Sequence, residues 1–104
     1  MKSRDATIAF DALSHNLRLK IFRKLVAKGK SGMGASELCE LMEIPPATLS
    51  FHMSKLANGD LVDVRKKGKY VIYTANNKQV SKLIDFLMEK CGTEESTDSG
   101  KSKK

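Results

Sequence analysis

Ile44-Pro45-Pro46-Ala47-Thr48-Leu49-Ser50-Phe51-His52-Met53-Ser54-Lys55-Leu56-Ala57-Asn58-Gly59 carries its own start and its own stop. Proline fits the first turn of a helix, where its missing N–H has no partner to lose, and Asn-Gly predicts a left-handed stop. Leu49, Met53 and Leu56 recur at i, i+4 and i+7 and mark a narrow apolar face. At about 100° per residue, the opposite side carries Ala47, Ser50, Phe51, Ser54 and Lys55, with Thr48 nearby. The stretch holds no acid; the first to follow it is Asp60. A free side made of small hydroxyls, one aromatic ring and one cation suits entry into a DNA groove.

Working outward, residues 35–42 predict a preceding helix, with Ala35, Leu38, Cys39, Leu41 and Met42 apolar and Glu37, Glu40 and Glu43 outward. Helix, tight turn and second helix make a helix-turn-helix, with the second as recognition helix. On the other side, Leu61-Val62-Asp63-Val64-Arg65-Lys66 and Tyr70-Val71-Ile72-Tyr73-Thr74 read as two strands of a hairpin around Lys67-Gly68. Its tip, Arg65-Lys66-Lys67-Gly68-Lys69, has four cations in five residues, a density suited to phosphates. A helix-turn-helix followed by a basic hairpin predicts a winged helix.

The ends of the chain complete the plan. Residues 5–13 predict a short amphipathic helix with Ile8, Ala9, Ala12 and Leu13 inward. Residues 15–28 predict another, capped by Ser14 or Asn16 and ended by Gly29, with Leu17, Ile21, Phe22 and Leu25 as its stripe. Arg18, Lys20, Arg23, Lys24 and Lys28 load its remainder with positive charge, of which Lys20, Arg23 and Lys24 read as a solvated face, and residues 30–34 read as a loop. After Asn76-Asn77 a last helix runs to about Lys90, with Val80, Leu83, Ile84, Leu87 and Cys91 as its stripe and Phe86 and Met88 widening it. The first and last helices each expose more apolar surface than the winged helix can cover, so a two-fold homodimer through them is expected. The fold class is therefore mainly α with a small β-hairpin, five helices with the hairpin between the fourth and fifth. Residues 1–91 form one winged helix-turn-helix domain for DNA binding and dimerisation, and 92–104 form a polar tail expected to be disordered.

Composition narrows the function. The formal net charge of the 104 residues is +7, and because residues 92–104 sum to zero it all lies on residues 1–91. That points to a polyanionic partner, nucleic acid before membrane. No apolar run approaches the roughly 20 residues of a membrane span, and no signal-peptide core is visible, so a cytoplasmic protein with mostly reduced thiols is expected. Two histidines, no glycine-rich phosphate loop and no nucleophile–base set argue against an enzyme, and no cofactor is expected.

Ala12-Leu13-Ser14-His15-Asn16-Leu17-Arg18-Leu19-Lys20-Ile21-Phe22 resembles the second-helix signature of the ArsR/SmtB transcriptional repressors. Leu38 to Leu56, with Leu49-Ser50-Phe51-His52, resembles their helix-turn-helix, and Gly59-Asp60-Leu61-Val62 through Tyr73 resembles their wing. The resemblance spans roughly residues 5–91. It implies a homodimer on a pseudo-palindromic double-stranded DNA operator, released when an inducer binds or a thiol reacts. Phe86-Leu87-Met88-Glu89-Lys90-Cys91 further resembles the arsenic-responsive subgroup, whose last helix ends in adjacent cysteines. The chain departs from the pattern in three places. Gly34 and Ser36 stand where metal-sensing members carry Cys-x-Cys, Gly92 stands where the arsenic subgroup has its second cysteine, and residues 77–91 hold no histidine. As(III) favours three thiolates, the chain has two distant cysteines, and no metal site is expected. Pro46, Ala47 and Phe51 replace residues frequent in relatives, so the operator sequence does not carry over.

The candidate DNA contacts are therefore Thr48, Ser50, Phe51, Ser54 and Lys55 on the helix and Arg65, Lys66, Lys67 and Lys69 on the wing. For Phe51 two readings stand, a thymine methyl contact or burial against the neighbouring helix. His52 flanks the apolar face and reads as a packed or backbone-bonded histidine rather than a ligand. Cys39 reads as a small core hydrophobe. Cys91 reads either as a dimer contact or as a thiol switch, through disulfide or persulfide chemistry with Cys39 or with a partner subunit. The functional expectation is an inducer- or thiol-responsive repressor. The alternatives are an unswitched DNA-binding regulator and a winged-helix module that binds protein or RNA.

Overall fold

The computed structural model describes residues 1–89. The readings for Cys91 and for the tail 92–104 lie outside those residues. Five helices, α1 (Ser3–Leu13), α2 (Asn16–Lys28), α3 (Ala35–Met42), α4 (Pro46–Asn58) and α5 (Asn77–Met88), surround three short strands, β1 (Met33–Gly34), β2 (Val62–Lys67) and β3 (Tyr70–Ala75). The sheet is antiparallel in the order β1-β3-β2. The largest fully buried side chains of the domain are Ile21, Leu25, Leu38, Leu49, Met53, Leu56 and Leu61, four of them on α4 or in the α4–β2 turn. None of the described helices is long and apolar enough to cross a membrane.

The wing pairs from Val62↔Ala75 to Lys67↔Tyr70, leaving Gly68-Lys69 as a two-residue turn. Gly68 takes φ +63°, which glycine adopts without a Cβ clash, and that favours the tight reversal. The 30–34 segment differs from the expected loop. Gly29–Ser31 form a 3-10 turn, and Met33 and Gly34 pair with Tyr73 and Ile72 as a third strand. Two residues show no alternation, so only tertiary pairing reveals the strand.

Four local expectations change. On α1, Ala6, Ala9 and Ala12 face inward while Ile8 is 40% exposed. The cause is a close crossing: a Cβ on Gly59 would stand 3.0 Å from the Ala9 Cα, so only small side chains fit between α1 and the end of α4. The cap of α2 is His15, whose Nδ1 accepts from the Leu17 N–H at 3.2 Å, in place of Ser14 or Asn16. Gly59 itself has φ −86°, and the left-handed residue that ends α4 is Asp60 at φ +58°. Gly59 is there for its size. Finally, Arg18, placed by spacing in the charged remainder off the α2 stripe, is buried.

The start of α5 is stitched to that same turn. Asn76 donates from its backbone N–H to the Leu61 carbonyl at 2.8 Å and from Nδ2 to the Asp60 carbonyl at 2.9 Å. Gln79, also buried, donates from Nε2 to the Gly59 carbonyl at 2.8 Å. Beyond Leu83 only Phe86 still packs against the core, while Ile84, Leu87 and Met88 are 55%, 62% and 77% exposed.

Gly32 supplies a stability test. Its φ is +71°, and an added Cβ would lie 2.5 Å from the Tyr73 carbonyl oxygen, whereas Gly29, at φ +79°, has nothing within 4 Å. Gly29→Ala therefore carries backbone strain alone, about 1 kcal/mol, and Gly32→Ala adds a clash with β3, for about 3 kcal/mol or more in urea denaturation. Equal losses at the two sites would contradict the β1–β3 packing.

Candidate nucleic-acid interface

The geometry of α4 follows from what it buries. Leu49, His52, Met53 and Leu56 point inward, and the chain between Cys39 and α4 is closed by Glu43 in the left-handed region at φ +56°, with the Ile44 N–H on the Cys39 carbonyl at 3.0 Å. With that face committed, Ala47, Ser50, Phe51, Ser54 and Lys55 are exposed and Thr48 is half-buried, as the spacing predicts. Pro45 caps α4 with no side-chain bond and Pro46 fills the first turn, so the Ala47 and Thr48 N–H groups lack side-chain acceptors. Free amides at a helix start attract phosphate oxygens.

Of the two readings for Phe51, exposure prevails: the ring is 57% exposed and stays off the neighbouring helix. Lys55 Nζ lies 5.6 Å from its centroid, which holds the cation over the same surface. On the wing Arg65, Lys66, Lys67 and Lys69 are all exposed, and the one ion pair among the described residues, Lys28–Glu37 at 3.9 Å, involves none of them. Arg65 differs from the lysines in that its Nη2 donates to the Ser31 carbonyl at 3.3 Å, which braces the wing base against the 3-10 turn. Tyr70, 60% exposed with Lys69 Nζ 5.7 Å from its ring, belongs to the same tip and escaped the sequence reading. The aromatic directly after a turn cation was its only signal.

Helix and wing border a common groove of about 870 Å³ between α3, the start of α4 and β3, lined by Cys39, Pro46, Ser50, Val71 and Tyr73 among others. Cys39 is half-buried there, at the margin of the core rather than within it. Burial, and then the neighbouring Cys39 thiol, push the Tyr73 hydroxyl above its ordinary pKa. His52 is packed, as expected, but its partner is a side chain: Nδ1 stands 3.1 Å from Nη1 of Arg18. No group of three His, Cys, Asp or Glu able to hold a metal occurs among the described residues.

This arrangement can be set beside known proteins. A helix-turn-helix domain family model matches residues 13–65, about half the chain. The arsenical resistance operon repressor of Bacillus subtilis is 31% identical over 75 residues, covering 72% of this chain and 70% of that protein. The chain belongs to the ArsR/SmtB family. It is a DNA-binding helix-turn-helix transcriptional regulator of that family. An ArsR-like transcriptional regulator from a Rhodococcus species superposes with a TM-score of 0.72 at 25% identity, over 82% of this chain and 77% of that one. A homodimeric winged helix-turn-helix DNA-binding domain from Mycobacterium bovis shares the fold, with a TM-score of 0.68 at 20% identity over 82% and 77%.

Within an ArsR/SmtB winged helix the two faces of α4 should separate cleanly. Phe51→Ala removes an exposed ring and is expected to change unfolding stability by no more than about 0.5 kcal/mol, while weakening duplex binding. Met53→Ala, two residues on but buried, is expected to cost about 2–5 kcal/mol. A Phe51→Ala stability loss comparable to that of Met53→Ala would place the ring in the core.

Proposed function

We propose that this chain acts as a homodimeric repressor that sets α4 of each protomer into the major groove of a pseudo-palindromic operator, with half-sites about one helical turn apart. The carrying observation is the pairing of an exposed, acid-free α4 face (Ser50, Phe51, Ser54, Lys55) with a wing tip whose lysines have no ion-pair partner among the described residues. Thr48 and Ser50 offer hydroxyls and Phe51 an apolar edge to the bases. Lys66, Lys67 and Lys69, with Arg65 nearer the core, hold the flanking backbone.

Dimerisation is supported by the uncovered apolar residues of α1 (Ile8, Phe10) and α5 (Ile84, Leu87, Met88), the faces a two-fold partner would bury. The Mycobacterium bovis domain of the same fold is homodimeric. The regulated state of the protein is cytoplasmic, where DNA is reached directly and thiols stay reduced.

For the inducer, the Bacillus subtilis relative is an arsenical resistance repressor, and the sequence around Cys91 resembles the arsenic-responsive subgroup. With two cysteines per chain and no three-ligand cluster among the described residues, release is read as thiol chemistry at Cys91, alone or with Cys39, rather than as capture in a built metal site.

Two outcomes follow. The double variant Lys67→Ala, Lys69→Ala is expected to bind duplex DNA more weakly at every sequence and to flatten the slope of log affinity against log salt by about 0.9 for each phosphate contact removed. An unchanged slope would take the wing off the DNA and favour a protein- or RNA-binding module. Treatment of the protein–DNA complex with oxidant, persulfide or arsenite is expected to release DNA from the native protein and not from Cys91→Ser. No release by any of the three would make the regulator an unswitched one.

A further inference from the structure

Arg18 is the one cation among the buried side chains of the described residues. It is 7% exposed, and its guanidinium joins three elements. Nε donates to the Ala12 carbonyl at the end of α1 at 2.7 Å, Arg18 itself sits in the first turns of α2, and Nη1 reaches Nδ1 of His52, midway along α4, at 3.1 Å. A guanidinium has donors only and keeps its proton, so Nδ1 must be the acceptor. The bond therefore selects the neutral imidazole with its proton on Nε2. The His15 ring lies against His52 with centroids 4.8 Å apart and planes tilted by 50°.

We propose that Arg18 is a positioning residue for the DNA-reading helix, acting through the Nδ1 acceptor of His52, and that a proton from solvent taken up by that nitrogen releases the helix. The inference rests on α4 being the helix that reads DNA. Protonated, Nδ1 becomes a donor facing a donor, two cations meet inside the domain, and Arg18 keeps only the Ala12 carbonyl. A buried charge that loses a partner is costly, so the helix or the guanidinium must move.

The surroundings favour the neutral ring. Burial first, then His15, then Arg18 push the His52 pKa below its ordinary value. The other charged groups on elements packed against α4 are Arg4, Asp5 and Asp11 on α1, Lys20, Arg23, Lys24 and Lys28 on α2, Glu37 and Glu40 on α3, and Asp63, Arg65, Lys66 and Lys67 on β2. All are exposed, and none bonds to His52 among the described residues. On α4 itself, Lys55 lies over the Phe51 ring on the outer side. No carboxylate is thus placed to hold the imidazolium. Because the folded state lowers this pKa, the brace is still in place at the ordinary histidine value near 6.5 and is lost only as the pH falls through the lower folded-state value.

The sign separates this from general electrostatics. Protonating a surface histidine adds a positive charge and tightens binding to a polyanion; losing the brace weakens it. The test measures affinity for the tightest duplex selected from a randomised pool at pH 8, then at fixed salt down to the lowest pH at which circular dichroism shows the helices intact. Native protein is expected to lose about tenfold in affinity across that range with its helicity retained. His52→Gln, whose Oε1 can still accept from Arg18, is expected to bind well at pH 8 with a flat profile. Nitrogen-15 shifts of the His52 ring should show the Nε2–H tautomer at pH 8. A flat or rising native profile, an equal fall in His52→Gln, or an Nδ1–H tautomer each overturns the proposal. If Ser50→Ala with Lys55→Ala leaves binding at pH 8 intact, the recognition-helix reading fails and this inference goes with it. If that variant weakens binding while the native pH profile is flat, only the brace is wrong.

Discussion

Leu49, Met53 and Leu56 are 2%, 2% and 0% exposed, and the packing they make leaves α4 one orientation. Rotating the helix about its axis by even one residue would bring Ser50 or Ser54 into the core and push an apolar side chain out, at a cost of about 2 kcal/mol or more for each side chain displaced. The functional face is thus what remains after burial has been satisfied. Its chemistry is free to vary because its direction is set from behind.

The same helix is held at both ends by contacts that leave little slack. At its start, the left-handed Glu43 and the Ile44–Cys39 bond fix the turn from α3. At its end, Gly59 lets the α1 backbone come close, while Asn76 and Gln79 tie the turn after α4 to the first residues of α5. Those two polar residues link the proposed recognition helix to the helix with the uncovered apolar face. A shift at the α5 surface therefore has a short, hydrogen-bonded route to α4. On the other side, β1 anchors β3, and Arg65 holds the wing base to the 3-10 turn, so the tip lysines project from a braced hairpin.

The helices and the wing were legible because each rests on local signals: a period near 3.6 in α2, α4 and α5, β-branched runs for the strands, and a glycine at the wing turn. The outer face of α4 was legible for the same reason, since fixing its inner residues fixes the rest. What escaped reading depends on partners far along the chain. Arg18 sits at the edge of its stripe and looks like one more surface cation; its acceptor, His52, is 34 residues away. The two-residue β1 is too short for any periodicity. Ile8 looked inward by spacing, yet the close approach of Gly59 to Ala9 favoured the alanine side of α1. Tyr70 became a wing-tip residue only when the register placed it directly after the turn.

In the proposed complex, α4 and the wing tip together form the surface that meets DNA. The most direct measurement is the amide chemical-shift footprint of the isotope-labelled protein on adding duplex selected from a random pool. The largest shifts are expected at residues 47–55 and 65–70, with the cationic face of α2 (Lys20, Arg23, Lys24) nearly silent. A footprint centred on α2, with α4 and the wing unmoved, would contradict it.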